Sequence, residues 1–284
     1  MLIDFHTHIF HEKVQKERET FFANEPEFKL LYDSPKAEIA SVESLIKTMD
    51  EQNVEISVVL GFPWRNDDIA RENNDYIIQS VVKYPDRLKG FACFDVLSKG
   101  APKEAERCLN AGLSGVGELA FYLSGIDENA VSFLEPIMEI LKDFGNLPCL
   151  IHTNEPVGHQ YPGKTPVTLE QIYNLAKTFP DNKLVFAHWG GGIFFYNIMK
   201  RDVKAVLKNV WFDTAASPFL YDSSIYKIAS DAGIIDKVLL GTDYPLLKPG
   251  RYIKDIEESG ISDMDKKKII RCNAYPLLFM QEEV

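Results

Sequence analysis

Met1-Leu2-Ile3-Asp4-Phe5-His6-Thr7-His8-Ile9-Phe10 opens the chain with an apolar run of strand length that carries two histidines two residues apart. Alternate residues of a strand leave the same face, so both imidazoles project together, about 6–7 Å apart at the backbone. Neutral imidazole is the commonest nitrogen ligand for zinc, and the pair forms a two-toothed clamp for a divalent cation. Two surface histidines that happen to be neighbours would give the same pattern. The rest of the chain has to decide.

Beyond this strand, residues 11–42 mix polar and aromatic side chains and are broken by Pro26 and Pro35, which suggests a lid or insertion with short helices of its own. From Val42 onward a regular alternation begins. Short apolar strands start near residues 2, 56, 88, 113, 147, 183, 210 and 237. Helical stretches follow them at Ser44–Gln52, Asn66–Tyr84, Ala101–Ala111, Asn129–Phe144, Pro166–Phe179, Gly192–Leu207 and Ser223–Ala232, and from Ser262 to Met280 with breaks near Asn273 and Pro276. Near-continuous apolar strands alternating with helices describe a parallel sheet covered on both faces. Eight repeats of about 30 residues favour closure into an α/β (β/α)8 TIM barrel, one domain over residues 1–284. An open doubly wound sheet would carry a Gly-rich phosphate turn after its first strand, where this chain has His6 and His8.

Composition narrows the function. With 31 basic against 42 acidic residues the net charge is −11, which argues against nucleic acid or an anionic membrane as partner. The triplet Lys266-Lys267-Lys268 reads as a solvated helix face. No 18-residue apolar run is present and the first residues lack the basic lead of a signal peptide, so a cytoplasmic location is expected. Cys93, Cys108, Cys149 and Cys272 show no C-x-x-C spacing and are expected as buried free thiols.

In such a barrel the C-terminal strand ends converge on one mouth. Five strands end in residues that bind metals or move protons. They supply His6 and His8, Glu118 in Gly115-Val116-Gly117-Glu118-Leu119, His152 in Leu150-Ile151-His152-Thr153-Asn154, His188 in Phe186-Ala187-His188-Trp189-Gly190-Gly191-Gly192, and Asp243 in Leu240-Gly241-Thr242-Asp243-Tyr244-Pro245. Each alone reads as hydrogen-bonded packing. Six ionisable groups crowding one mouth are costly unless they are paired or share a cation, so together they point to a metal site.

The H-x-H on strand one, the histidines ending strands five and six, the H-W-G-G-G segment and the final G-T-D-Y-P resemble the amidohydrolase superfamily of metal-dependent barrels. They are most similar to its amidohydrolase-2 branch, which includes aminocarboxymuconate-semialdehyde decarboxylase. The resemblance spans Ile3 to about Phe279. It implies His6, His8, His152 and Asp243 as ligands of one metal, expected to be zinc, with His188 holding or deprotonating its water. In two-metal members a strand-four carboxylate bridges the ions, which would place Glu118, His152 and His188 on a second one. A carboxylate that merely orients a ligand histidine is the other reading of Glu118.

A divalent ion lowers the pKa of water toward neutrality and polarises a carbonyl oxygen. Asp243 and His188 are then the catalytic pair, Asp243 moving the proton and His188 stabilising developing charge. The expected activity is hydrolysis of a C–O or C–N bond in a small carboxylic ester, lactone or amide. The alternative within the same branch is non-oxidative decarboxylation of a small aromatic or unsaturated acid, with His188 or Asp243 as proton donor. A catalytically inactive barrel that keeps a metal for binding is the second alternative. For the substrate, Trp64 and Arg65 are placed to stack on and pair with a planar acid, against a surface ion pair from Arg65 to Asp67 or Asp68. Asn154, His159 and Tyr161 follow strand five and are expected at the mouth. Trp189 reads as packing, and Gly190–Gly192 either opens a helix whose N–H groups suit an anion or permits a tight turn. A homodimer is expected from the branch, and a small molecule is the expected partner.

Overall fold

In the computed structural model, which describes residues 2–279, the strands form where the apolar runs predict them. They are β1 (Ile3–His8), β2 (Ile56–Leu60), β3 (Leu88–Gly90), β4 (Val116–Leu119), β5 (Cys149–Ile151), β6 (Leu184–Phe186), β7 (Val210–Asp213) and β8 (Val238–Leu239). Every residue of β2, β5 and β6 is buried, as a strand covered on both faces requires. All neighbours pair in parallel, β1 to β3 in one set and β4 to β8 in the other.

Two seams join these sets into a ring. Between β3 and β4, Ala92 pairs with Val116, and its amide donates to the Gly115 carbonyl at 3.0 Å. Between β8 and β1, Thr7 pairs with Tyr244, while Phe5 N donates to Leu240 O at 2.7 Å and Asp243 N to His6 O at 2.9 Å. The ring is therefore closed, and the (β/α)8 barrel is the fold observed.

Two hydrophobic layers hold it. The larger lies between strands and helices, and helices such as Val42–Glu51 and Asp67–Lys83 start where Ser41 and Asn66 cap free amides. The smaller fills the barrel interior with Ile3, Phe5, Val58, Phe91, Leu150 and Val185, closed off by Ala274, Leu277 and Leu278 of the helix Ala274–Phe279.

One irregularity positions the site. Between Asp4 and Thr7, β1 advances three residues while β2 advances two, from Ser57 to Val59. This bulge lets consecutive residues face inward, so Phe5 packs in the interior and His6 joins the mouth. A second bulge, between Val116 and Leu119 of β4, lies at Glu118.

Several boundaries differ from the sequence reading. The helix expected over 192–207 is a 3-10 turn, Ile193–Ile198, followed by a short helix, Arg201–Val206, because His188 through Gly192 all have φ between 56° and 102°. Gly190 and Gly191 need this left-handed path: a Cβ would meet Ile193 at 2.6 Å in one case and the Asn154 carbonyl oxygen at 2.2 Å in the other. The triple glycine thus serves a turn. A helix at Pro249–Glu258 was not expected, and the break near Asn273 is real, its side chain donating to the carbonyls of Ile235 and Val238. Pro276 falls in the first turn of the last helix, where its missing N–H costs nothing; Met280 lies outside the described residues. All four cysteines are free, but Cys272 is exposed.

Candidate metal centre

The mouth gathers the strand-end residues into two groups of three, His6 with His8 and Asp243, and Glu118 with His152 and His188. Within each group the nearest ligand atoms lie within 4.8 Å of one another. The Glu118 carboxylate stands between them. Its Oε1 is 3.0 Å from His152 Nδ1 and 3.6 Å from His188 Nε2, and its Oε2 is 3.7 Å from both His6 Nε2 and His8 Nε2.

Each imidazole is fixed by an acceptor behind it. His8 Nδ1 donates to the Gly61 carbonyl at 2.9 Å, His188 Nδ1 to the Ala215 carbonyl at 3.0 Å and His152 Nε2 to the Gly163 carbonyl at 2.8 Å. A carbonyl can only accept, so these outer nitrogens carry the proton and the inner ones present lone pairs in the neutral ring. His6 Nδ1 faces Asp213 Oδ2 at 2.8 Å in the same arrangement. The inner nitrogens then approach one another, His6 Nε2 to His8 Nε2 at 3.0 Å and His188 Nε2 to His152 Nδ1 at 3.3 Å. Two ring nitrogens this close need a proton or a metal ion between them. Four imidazole nitrogens and two carboxylates fit a divalent ion such as zinc or manganese, so the residues present suit a metal.

The electrostatics express the same demand. Burial pushes the His6 imidazole down, but the carboxylates of Asp213 and Glu118 outweigh it and hold it well above its ordinary value. Burial likewise opposes the charged form of His188, yet Glu118 and Asp243 raise it to about 9. His8 is lowered by burial and by its neighbour His6. Glu118 is held well below the usual carboxylate range, the histidines around it overcoming its burial.

Asp213 is the residue the sequence reading missed. Fully buried at the end of β7, it fixes His6 through Oδ2, while Oδ1 accepts from the amides of His188 at 2.9 Å and Ala215 at 3.0 Å. A carboxylate behind a ligand histidine sets its tautomer and raises its basicity. Its signal was available, since Asp213 closes a strand just as Asp243 does.

The expected substrate residues are dispersed. Trp64 is fully buried among Phe10, Phe28 and Phe62 with its indole N–H on Asn73 at 2.7 Å, a correction to the expected stacking role: the ring is walled in by packing. Arg65 pairs with Glu27, not with Asp67 or Asp68, beside a cavity of about 60 Å³ also lined by Asp95 and Tyr122. Asn154 is buried and spends its side chain on Thr165, at 2.8 and 2.6 Å, tying the loop after β5. Tyr161 donates to Glu155 in that loop at 2.7 Å, and the exposed His159 packs against Tyr161. Trp189 is packing, buried against Phe194 and Tyr226. His152 stands with Glu118 and His188 rather than with His6 and His8, so the four-ligand set His6, His8, His152 and Asp243 is split between the two groups.

A family model described as amidohydrolase matches residues 3–280. The chain belongs to the amidohydrolase family. This amidohydrolase is 24% identical to the gamma-resorcylate decarboxylase of Polaromonas sp. (strain JS666 / ATCC BAA-500), with 82% of this chain and 85% of the relative covered. Its fold is similar to 5-carboxyvanillate decarboxylase from Novosphingobium aromaticivorans, solved with manganese and a nitrobenzoic acid (TM-score 0.74, 15% identity, 98% and 96% of the chains covered). It is also similar to a probable 2-pyrone-4,6-dicarboxylic acid hydrolase from Acinetobacter baumannii with citric acid bound (TM-score 0.62, 18% identity, 98% of each chain). No helix among the described residues is long and apolar enough to cross a membrane.

Proposed function

We propose that this amidohydrolase is a metal-dependent, non-oxidative decarboxylase of a small aromatic or unsaturated carboxylic acid. Of the two activities expected from the sequence, decarboxylation has the better support, because the curated relative is a decarboxylase and manganese-bound decarboxylases share the fold. The observation that carries the metal dependence is the convergence of four imidazole nitrogens and two carboxylates, those of Glu118 and Asp243, at one mouth. Metal identity, zinc or manganese, and the number of ions are left to measurement. Glu118, lying between the two three-residue groups, supports a site able to hold two.

In this reading His6, His8 and Asp243 would hold one cation and His152 and His188 a second, with Glu118 standing between the two groups. A bound divalent ion supplies positive charge that fixes a substrate oxygen and stabilises negative charge developing on the carbon skeleton. Asp213 and the carbonyls of Gly61, Gly163 and Ala215 keep the imidazoles oriented, so no reorganisation is needed during reaction. The bond between the substrate carbon and its carboxylate breaks, carbon dioxide leaves, and a proton takes its place. Asp243 delivers that proton and recovers one from water: its Oδ1 lies 3.5 Å from His8 Nε2 and 3.8 Å from His6 Nε2, and a fifth of its side chain is exposed.

The test is to load the purified protein with manganese or zinc and offer it 2,6-dihydroxybenzoate, 5-carboxyvanillate and 2-pyrone-4,6-dicarboxylate. Carbon dioxide release with one deuterium incorporated per product in D2O is the expected result. Ring opening of the pyrone without carbon dioxide release would make the protein a hydrolase instead.

A further inference from the structure

A line of aromatic rings runs from the insertion after β1 to the metal ligands. Tyr32, the last residue of the helix Pro26–Tyr32, packs against Phe62 with centroids 6.1 Å apart. Phe62 stacks on Tyr122 at 6.0 Å with planes 8° apart, and Tyr122 meets the His152 ring at 5.3 Å. Tyr122 comes from the loop after β4 and is 8% exposed. It also lines the cavity beside Arg65, so it stands between that cavity and a metal ligand.

Neither tyrosine hydroxyl has a hydrogen-bond partner among the described residues, whereas the long basic side chains nearby are paired. Arg65 is held by Glu27, and Lys164 of the loop after β5 by Glu155 at 2.9 Å. The arginine and the lysine of these two loops are therefore already neutralised by carboxylates. Both hydroxyls keep a donor uncommitted to the protein, Tyr32 on a half-buried ring and Tyr122 on a buried one, so each is free to donate to a ligand oxygen. Burial, with the carboxylates of Asp243 and Glu118 adding to it, pushes both phenols upward, so they remain donors across the physiological range and lie within electrostatic reach of the metal groups.

We infer that Tyr32 and Tyr122 select the substrate, each donating from Oη to an oxygen substituent of a planar, single-ring acid held at the mouth. The identity of the ligand as an acid rests on the decarboxylase reading; the role of the two hydroxyls does not.

The experiment compares 2-nitroresorcinol with nitrobenzene, neither of which can lose carbon dioxide, by calorimetric titration into manganese-loaded protein. Wild type, Tyr32→Phe and Tyr122→Phe are compared, with metal content and thermal unfolding confirming that the variants fold and load. Wild type is expected to prefer the hydroxylated ring, and each variant to lose about tenfold of that preference while nitrobenzene affinity stays unchanged. An unchanged preference in both variants, equal weakening of both ligands, or no binding by wild type would each overturn the inference. Retained selectivity in a protein that releases no carbon dioxide from any acid would support it while removing the decarboxylase reading.

Discussion

Below the bulge in β1 the barrel is filled by Phe5, Val58, Phe91, Leu150 and Val185; just above it stand His6, His8, Glu118, His152, His188 and Asp243. β1, and the chain at β5 and β6, contribute to both levels. At the base each residue leaves water for contact with apolar neighbours, which stabilises the fold directly. At the mouth, burial works against the charged forms of His6, His188 and Glu118, and only mutual pairing or a cation offsets it. The base holds the barrel together, and the mouth is tolerated because the base is strong.

The contrast breaks most visibly if the two levels exchange their effects. His6→Ala is expected to lower metal content and reduce turnover by about a thousandfold or more in the protein that still folds. Phe91→Ala, on a strand that supplies no ligand, should do the reverse, costing about 3–5 kcal/mol in denaturant unfolding while turnover per loaded molecule stays within a few-fold. A turnover collapse in Phe91→Ala with stability intact would show that the levels are not separable.

A subtler probe is Asp213→Asn, which keeps the shape but weakens the hold on His6. Metal affinity is expected to fall about 10–100-fold by competition with a chelating indicator, without unfolding. The smallest effect concerns pH. Once chelation removes the metal, the His188 proton held up to about 9 stabilises the folded form fully below 6.5, and that contribution is lost as pH rises through 9. Melting temperature of the chelated protein should therefore decline from pH 6.5 to 9, whereas the loaded protein should not follow it.

The barrel was readable because its strands are short apolar runs spaced evenly along the chain, and β1 announced the site through two histidines two residues apart. What stayed hidden depends on geometry that periodicity does not encode. The alternation of β1 would send Phe5 and His6 to opposite faces, and only the bulge reconciles them. Trp64 looked available because it follows a strand in a loop; the rings that bury it, Phe10 and Phe28, come from distant positions. Asp213 was passed over because an aspartate closing a strand is common, and its value appears only when His6 and His188 are seen on either side of it.

The closing seam sets an order of events for the newly made chain. β1 is made before residues 238–244, which pair with one of its edges, and its inward Ile3 and Phe5 wait longer still for Ala274, Leu277 and Leu278. β1 must therefore remain incompletely covered while more than two hundred intervening residues are made, at the usual pace of about 5–20 residues per second. During that interval its unpaired edge is open to mispairing with another strand.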